Sequence, residues 1–348
     1  MPIVRVLIAD DSPTVRFYLS ELLKQAEGFE VIGVAKNGLE ALELTRRLHP
    51  HIVSMDINMP EMDGLEATRQ IMEHCPVPVL VVSSMLEHDV ELSLNALKAG
   101  ALAVVSKPPA PNHPDFESKK RQLLSMLGAM ADVKVISRKR RLNIERESKE
   151  FQAVPLPHRN KASILAIGAS TGGPSALHHV LGGLPADFSL PIVVVQHMPN
   201  EFIAGLARWL DRVTSLSVSV AEEGQFLEAG KVLISPGGAH LTVVKSERGL
   251  KVRLVPENGN YRYQPSIDML FRSVAMSCSD AAIGLILTGM GDDGAQGLLA
   301  MRQAGAHTLA QDASTSTVFG MPNVAQEKGA VQQMVPLGNI PDTLLKLI

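Results

Sequence analysis

Residues 164–177 read ILAIGASTGGPSAL. A run of apolar and small residues, the composition of a buried strand, passes through Ser170, Thr171, Gly172 and Gly173 and opens a helix near Pro174. A strand that turns through glycines into a helix is half of a parallel β-α-β unit, so this stretch points to an α/β fold. Gly168, Ser170 and Gly172 also satisfy G-x-S-x-G, where small neighbours permit a sharp turn that lifts a serine hydroxyl above the sheet. Unpaired N–H groups at the start of the helix then face any negative charge that develops there. A phosphate-binding loop would need a lysine after the glycines, whereas Pro174 and Ser175 follow, and GxGxxG is absent.

The same rhythm extends in both directions. Downstream, SLPIVVVQH, KVLISPGG, HLTVVKS, KVRLVPE and AAIGLILTGMG read as strands. Those between about 232 and 256 are joined too briefly for helical crossovers and are expected to form antiparallel hairpins. Upstream, five strand-then-helix pairs begin with VRVLIA, EVIGVA, HIVSM, VPVLVVSS and ALAVVS. Between the two series lies a stretch rich in charge and proline, including SRKRR, that reads as a solvated linker. The expected organisation is an N-terminal five-stranded, parallel, doubly wound domain over 1–130 and a linker over 131–161. A mainly parallel, doubly wound domain with a hairpin section follows over 162–348.

Composition narrows the function. Of the 348 residues 45% are hydrophobic and 20% charged, as in a soluble globular protein, and a net charge of −3 gives no electrostatic basis for nucleic-acid binding. The two cysteines, Cys75 and Cys278, have no CxxC spacing, which excludes a disulfide framework and suits reduced thiols in the cytoplasm. No apolar run reaches the length of a membrane span, so no direct membrane insertion is expected.

In open parallel sheets ligands bind at the carboxyl ends of strands. In the first domain those ends carry Asp10 and Asp11, Asp56, Ser83 and Ser84, and Lys107. Carboxylates without Cys or His suit a hard divalent cation such as Mg²⁺, and the adjoining lysine and hydroxyl suit a phosphoryl group taken by a carboxylate. In the second domain, strand ends carry Ser170, His197 in QHMP, and Asp292 and Asp293 in LTGMGDDGAQG. A serine nucleophile needs a base and a carboxylate that orients it, so these residues are the candidates for a triad. His178 and His179 lie in the helix after Ser170 and read as packing or surface residues, while His240 is the reserve base and Asp312 the reserve acid. The order Ser, His, Asp differs from the Ser, acid, His order of α/β-hydrolases.

ADDS, MDINMPEMDGLEA, VVSS and SKPP resemble the receiver domain of two-component response regulators. The resemblance implies Asp56 as phospho-acceptor, with Asp10, Asp11, Asp56 and the Asn58 carbonyl around Mg²⁺. Ser83 and Lys107 would contact the phosphoryl oxygens. Val104 stands where receivers often have an aromatic switch residue. IGASTGGP, QHMP, ISPGGAHL, QPSIDMLF, LTGMGDDGAQG and VFGMP resemble, in order, the catalytic domain of the chemotaxis response-regulator methylesterases. That resemblance implies Ser170 as nucleophile, His197 as base and Asp293, directly before glycine, as orienting acid, with Thr171 and Met290 as oxyanion donors. It implies hydrolysis of glutamate methyl esters on chemoreceptors, deamidation of receptor glutamines, and a chemotaxis histidine kinase as phosphodonor. The hydrolase chemistry requires no cofactor on this reading, and the linker is long enough for an unphosphorylated receiver to fold back over the Ser170 edge. A phosphorylation-dependent scaffold and a hydrolase of small esters or amides are the competing classes.

Overall fold

The computed structural model describes residues 3–83, 94–133, 135, 162–256 and 263–348. The chain divides into two compact units, 1–143 and 144–348. Of the segment 131–161, only 131–133 and 135 fall within the described residues.

In the first unit, β1 (Val4–Ala9), β2 (Phe29–Ala35), β3 (Ile52–Met55), β4 (Val79–Ser83) and β5 (Ala103–Ser106) form one sheet in the order β2-β1-β3-β4-β5. Every neighbouring pair is parallel. Strands β3 and β4 are buried along their whole length because helices cover both faces, which explains their continuous apolar runs. The helices start where short polar side chains stop the extended chain. Ser12, Asn37 and Asp63 each accept the backbone N–H three residues on, from Val15, Glu40 and Glu66. Glu40 also accepts the N–H of Lys36, the residue before the cap, at 3.0 Å. The helices Pro13–Lys24 and Phe116–Ala131 supply Leu19, Leu23, Leu123 and Leu127 to a cluster with Ile8, Leu80 and Val105 of the sheet. The strand order reverses between β1 and β3, so the residues after these strands share one crevice.

The second unit is built on a seven-stranded, wholly parallel sheet. Its strands are β6 (Ile164–Ala169), β7 (Ile192–Gln196), β8 (Ser217–Val220), β9 (Lys231–Ile234), β12 (Ala282–Ile286), β13 (His307–Gln311) and β14 (Gln333–Val335), in the order β14-β13-β12-β6-β7-β9-β8. Strands β10 (Ala239–Ser246) and β11 (Gly249–Pro256) form a separate antiparallel ribbon. The hairpin section expected from about 232 therefore begins later. β9 lies in the main sheet between β7 and β8, because the chain from 221 to 230 crosses back without a helix, bridging through Phe226 to Lys251 of the ribbon.

The helix Ile267–Cys278 packs between the ribbon and the sheet. Its Leu270, Phe271 and Val274 join Leu241, Val243 and Val252 of the ribbon and Val193 and Val195 of β7 in one buried cluster. Each such side chain contributes about 1.5–3 kcal/mol on burial. Polar contacts fix the seam as well: Val243 N–H donates to Ser273 Oγ at 2.9 Å and Ser277 Oγ donates to the Val243 carbonyl at 2.9 Å.

Candidate functional site

β6 is the strand at which the second sheet reverses, with β12 on one side and β7 on the other. Ser170 follows β6 directly, half-exposed at its carboxyl end. Its N–H donates to the Thr288 carbonyl at 3.1 Å, and its own carbonyl accepts from Gly173 N–H at 2.8 Å. Gly172 makes the turn at φ +75, a left-handed conformation that a side chain strains. A Cβ there would also fall 2.5 Å from Thr317 Cβ.

His197 leaves β7 beside Ser170. Ala169 and Gln196 are paired at the ends of the two strands, and His197 N–H donates to the Ala169 carbonyl at 2.9 Å. Gln196 joins the two turns: its Nε2 donates to the Ser170 carbonyl at 2.8 Å and to the His197 carbonyl at 2.9 Å. Asp293 comes from the loop after β12 and accepts from His197 Nε2 at 2.9 Å. That contact assigns the proton to Nε2 and leaves the Nδ1 lone pair on the other side of the ring. Among the described residues, His197 makes no hydrogen bond to Ser170 Oγ.

Asp293 is almost completely enclosed, and its carboxylate is saturated. Besides His197 it accepts from Ile267 N–H at 2.7 Å, Asp268 N–H at 3.1 Å, Ser266 Oγ at 3.1 Å and Gly294 N–H at 3.1 Å. Three of these donors are Ser266, the cap of helix Ile267–Cys278, and the first N–H groups of that helix, where the macrodipole favours an anion. Burial alone would push the Asp293 pKa up. The His197 hydrogen bond and charge and the Ile267 and Asp268 N–H groups outweigh it and hold the carboxyl below its ordinary value.

The remaining sequence candidates divide plainly. Thr171 is buried beside Ser170, and its carbonyl accepts from Thr288 Oγ1 at 3.0 Å. Met290 is exposed next to this turn, since Gly289 packs against Ser170. Asp292 Oδ1 instead accepts from the Tyr263 hydroxyl at 3.3 Å. His178 packs on Trp209 with ring centroids 5.3 Å apart, and His179 lies in the last turn of the same helix. His240 accepts the Ser266 N–H on Nδ1 at 3.0 Å, and Asp312 is taken up by Ser314 and Thr315 in its own turn. Gln196 and Tyr263 escaped the sequence reading. Gln196 had a signal, as the one polar residue closing an otherwise apolar strand.

In the first unit, carboxylate oxygens of Asp10, Asp11 and Asp56 lie within 4.8 Å of one another at the strand reversal. Lys107 Nζ enters between them, 2.8 Å from Asp10 Oδ2 and 2.8 Å from Asp56 Oδ1. Its backbone N–H donates to the carbonyl of Ser83, which is buried and paired with Ser106. Burial is the main reason the Asp56 pKa rises to about 6; Lys107 opposes the rise, and repulsion from Asp10 adds to it. For Lys107 burial acts downward, but its bonds to Asp10 and Asp56 prevail and raise the ammonium pKa. Three acidic groups against one ammonium, with oxygen donors only, fit a hard divalent cation. Asn58 is exposed two residues after Asp56, and Val104 is buried in β5. Ser84 lies outside the described residues.

Comparison with known proteins gives two family matches, CheB methylesterase over residues 165–344 and response regulator receiver domain over residues 6–113. A "protein-glutamate methylesterase/protein-glutamine glutaminase 4" of Myxococcus xanthus is 43% identical over 98% of this chain and 96% of its own length. One of the same designation from Geobacter metallireducens is 43% identical over 99% of both chains. The crystal structure of the Thermotoga maritima CheB methylesterase catalytic domain superposes with a TM-score of 0.53 at 36% identity, covering 54% of this chain and all of that one. A half-exposed serine and a carboxylate-bound histidine at adjoining strand ends thus occur in a chain that belongs to the CheB methylesterase family and carries a response regulator receiver domain.

Proposed function

We propose that this chain is a phosphorylation-regulated hydrolase of the cytoplasm that removes methyl groups from glutamate methyl esters on chemoreceptors, with Ser170, His197 and Asp293 as its triad. The observation that carries the reading is the pairing of His197 with Asp293 on a ring that leaves its strand alongside Ser170. The relatives' names supply the substrate class. A receiver and a triad in one chain also favour this reading over a scaffold or a hydrolase of small esters.

In the first step His197 Nδ1 takes the Ser170 proton as Oγ attacks the ester carbonyl carbon, and the resulting oxyanion is met by the backbone N–H groups of Thr171 and Met290. The protonated imidazole, stabilised by Asp293, returns the proton to the leaving oxygen as the C–O bond breaks, releasing methanol and leaving an acyl group on Ser170. Water then attacks the acyl carbon, gives its proton to Nδ1, and frees the receptor carboxylate as Ser170 recovers its proton. A glutamine side chain follows the same course with ammonia as leaving group.

Residues 1–130 form the receiver, residues 131–161 the linker and residues 162–348 the catalytic domain in this reading. A carboxylate oxygen of Asp56 accepts the phosphoryl group from a phosphohistidine of the chemotaxis kinase, and Lys107 and Ser83 bind the phosphoryl oxygens. Asp10, Asp11, Asp56 and the Asn58 carbonyl would hold Mg²⁺, which when bound neutralises charge on the transferred phosphoryl group. The decisive assay is methanol release from membranes bearing methylated receptor, with and without a phosphodonor. Wild type is expected to be active and stimulated, Asp56→Asn active and unstimulated, and Ser170→Ala silent. Release by Ser170→Ala at the wild-type rate would overturn the proposal.

A further inference from the structure

His197 has a second neighbour besides Asp293. The Tyr263 ring lies over the imidazole with centroids 5.2 Å apart and planes only 6° from parallel, an offset stack. The phenol is itself held, because its hydroxyl donates to Asp292 Oδ1. The backbone makes room for it at Gly291, where φ is +92 and a Cβ would stand 2.5 Å from Tyr263 Oη. Consecutive carboxylates thus hold both members of the stack: Asp293 holds the imidazole and Asp292 the phenol.

One hydrogen bond at Nε2, a ring atom close to the Cβ–Cγ axis, restrains rotation about that bond only weakly. A parallel aromatic face resists that rotation. Tyr263 also lines a cleft of about 310 Å³ shared with Ser266, Asp292 and Asp293. The geometry points to Tyr263 as a positioning residue that keeps the His197 plane aligned for proton transfer with Ser170. This rests on His197 being the base, and it deepens that reading by adding an aromatic wall to the triad. Tyr263 acts through His197 rather than on substrate, so its removal lowers kcat and leaves KM unchanged. The ring matters more than the hydroxyl, whose bond is long.

The test uses the full chain with Tyr263→Phe, Tyr263→Leu, Tyr263→Ala and Ser170→Ala. In ester hydrolysis, Phe is expected to stay within about threefold of wild type, while Leu and Ala lose about tenfold to a hundredfold in kcat at constant KM, the scale of a misaligned catalytic group. Nitrogen-15 NMR of the labelled imidazole supplies a readout apart from catalysis. The Nε2–H signal should persist in wild type, Phe and Ser170→Ala, and broaden through solvent exchange in Leu and Ala. Unchanged kcat and an unchanged signal in Tyr263→Ala would overturn the inference, as would a rise in KM alone, which would make Tyr263 a substrate contact. Loss of activity in Phe equal to that in Ala, with the signal intact, would overturn it too. Undiminished hydrolysis by Ser170→Ala would instead strike the triad, and the NMR comparison would still judge the stack.

Discussion

Lys107 meets Asp56 in a 2.8 Å ion pair, yet the Asp56 pKa lies near 6. Burial and the neighbouring Asp10 together outweigh one ammonium that must also serve Asp10. A carboxyl whose folded pKa exceeds its ordinary 3.8 binds protons more readily in the folded chain. Its contribution to stability is complete below that ordinary value and is lost as pH rises through about 6. The loss is on the order of 3 kcal/mol. Urea unfolding followed in EDTA should show first-unit stability declining between those two pH values. Asp56→Asn should flatten the decline and be the more stable protein at neutral pH. Added Mg²⁺ should stabilise wild type more than the variant.

Asp293 responds to pH in the opposite sense. Its folded pKa is depressed, so its contribution is present above the ordinary carboxylate value and disappears as pH falls through the folded one. Asp293→Asn turns one acceptor position into an NH₂ group amid five donors. The variant should lose about 2–4 kcal/mol of stability, since a hydrogen-bonded buried charge is removed from its donors. Its hydrolysis rate should fall about 10³–10⁴-fold, because the imidazole tautomer is no longer enforced. Chemical denaturation and initial-rate assays check the two parts separately.

Gln196 is the tie between nucleophile turn and base turn. Gln196→Met keeps the volume and leaves two carbonyls without their donor, which should cost about 1–3 kcal/mol. Gln196→Glu places an acceptor against the same carbonyls and should be worse than Met in stability and in kcat. Equal melting temperatures for wild type and both variants would show that the amide does not bind the two turns.

Gly172→Ala tests the turn itself. A left-handed residue with a side chain costs about 1–2 kcal/mol, and the collision with Thr317 adds to it. Labelling of Ser170 by a fluorophosphonate should slow in step with the loss of stability.

Most of the frame was legible in the sequence because parallel strands covered on both faces announce themselves as apolar runs, as IVSM and ILAIGA do. The strand-tip rule then brought Ser170, His197 and Asp293 forward as candidates, and Asp10, Asp11 and Asp56 likewise. Three strands went unread for local reasons. β8 (SVSV) is short with a serine at every other position, β13 (HTLAQ) has only Leu309 and Ala310 as apolar residues, and β14 has three residues. β9 was assigned to a hairpin because its link to β10 is too brief for a helical crossover, while its parallel neighbour β8 went unread. Gln196 and Tyr263 were missed for a different reason. An amide bound to backbone carbonyls leaves no residue pattern in its partners, and a ring stack joins positions that no periodicity links.

The two ends of the β10–β11 ribbon differ in what they touch. Its base is tied to the acid: His240 accepts from Ser266, whose hydroxyl reaches Asp293, and Val243 is bonded on both sides to the helix whose first turn cradles that carboxylate. Its tip, Glu247 and Arg248, is a solvent-facing turn between β10 and β11. A graft at the tip therefore travels down a stiff lever to the carboxylate only if it twists the strands. Short inserts there should be tolerated, whereas shearing the ribbon base by one residue would dislodge the triad from a distance.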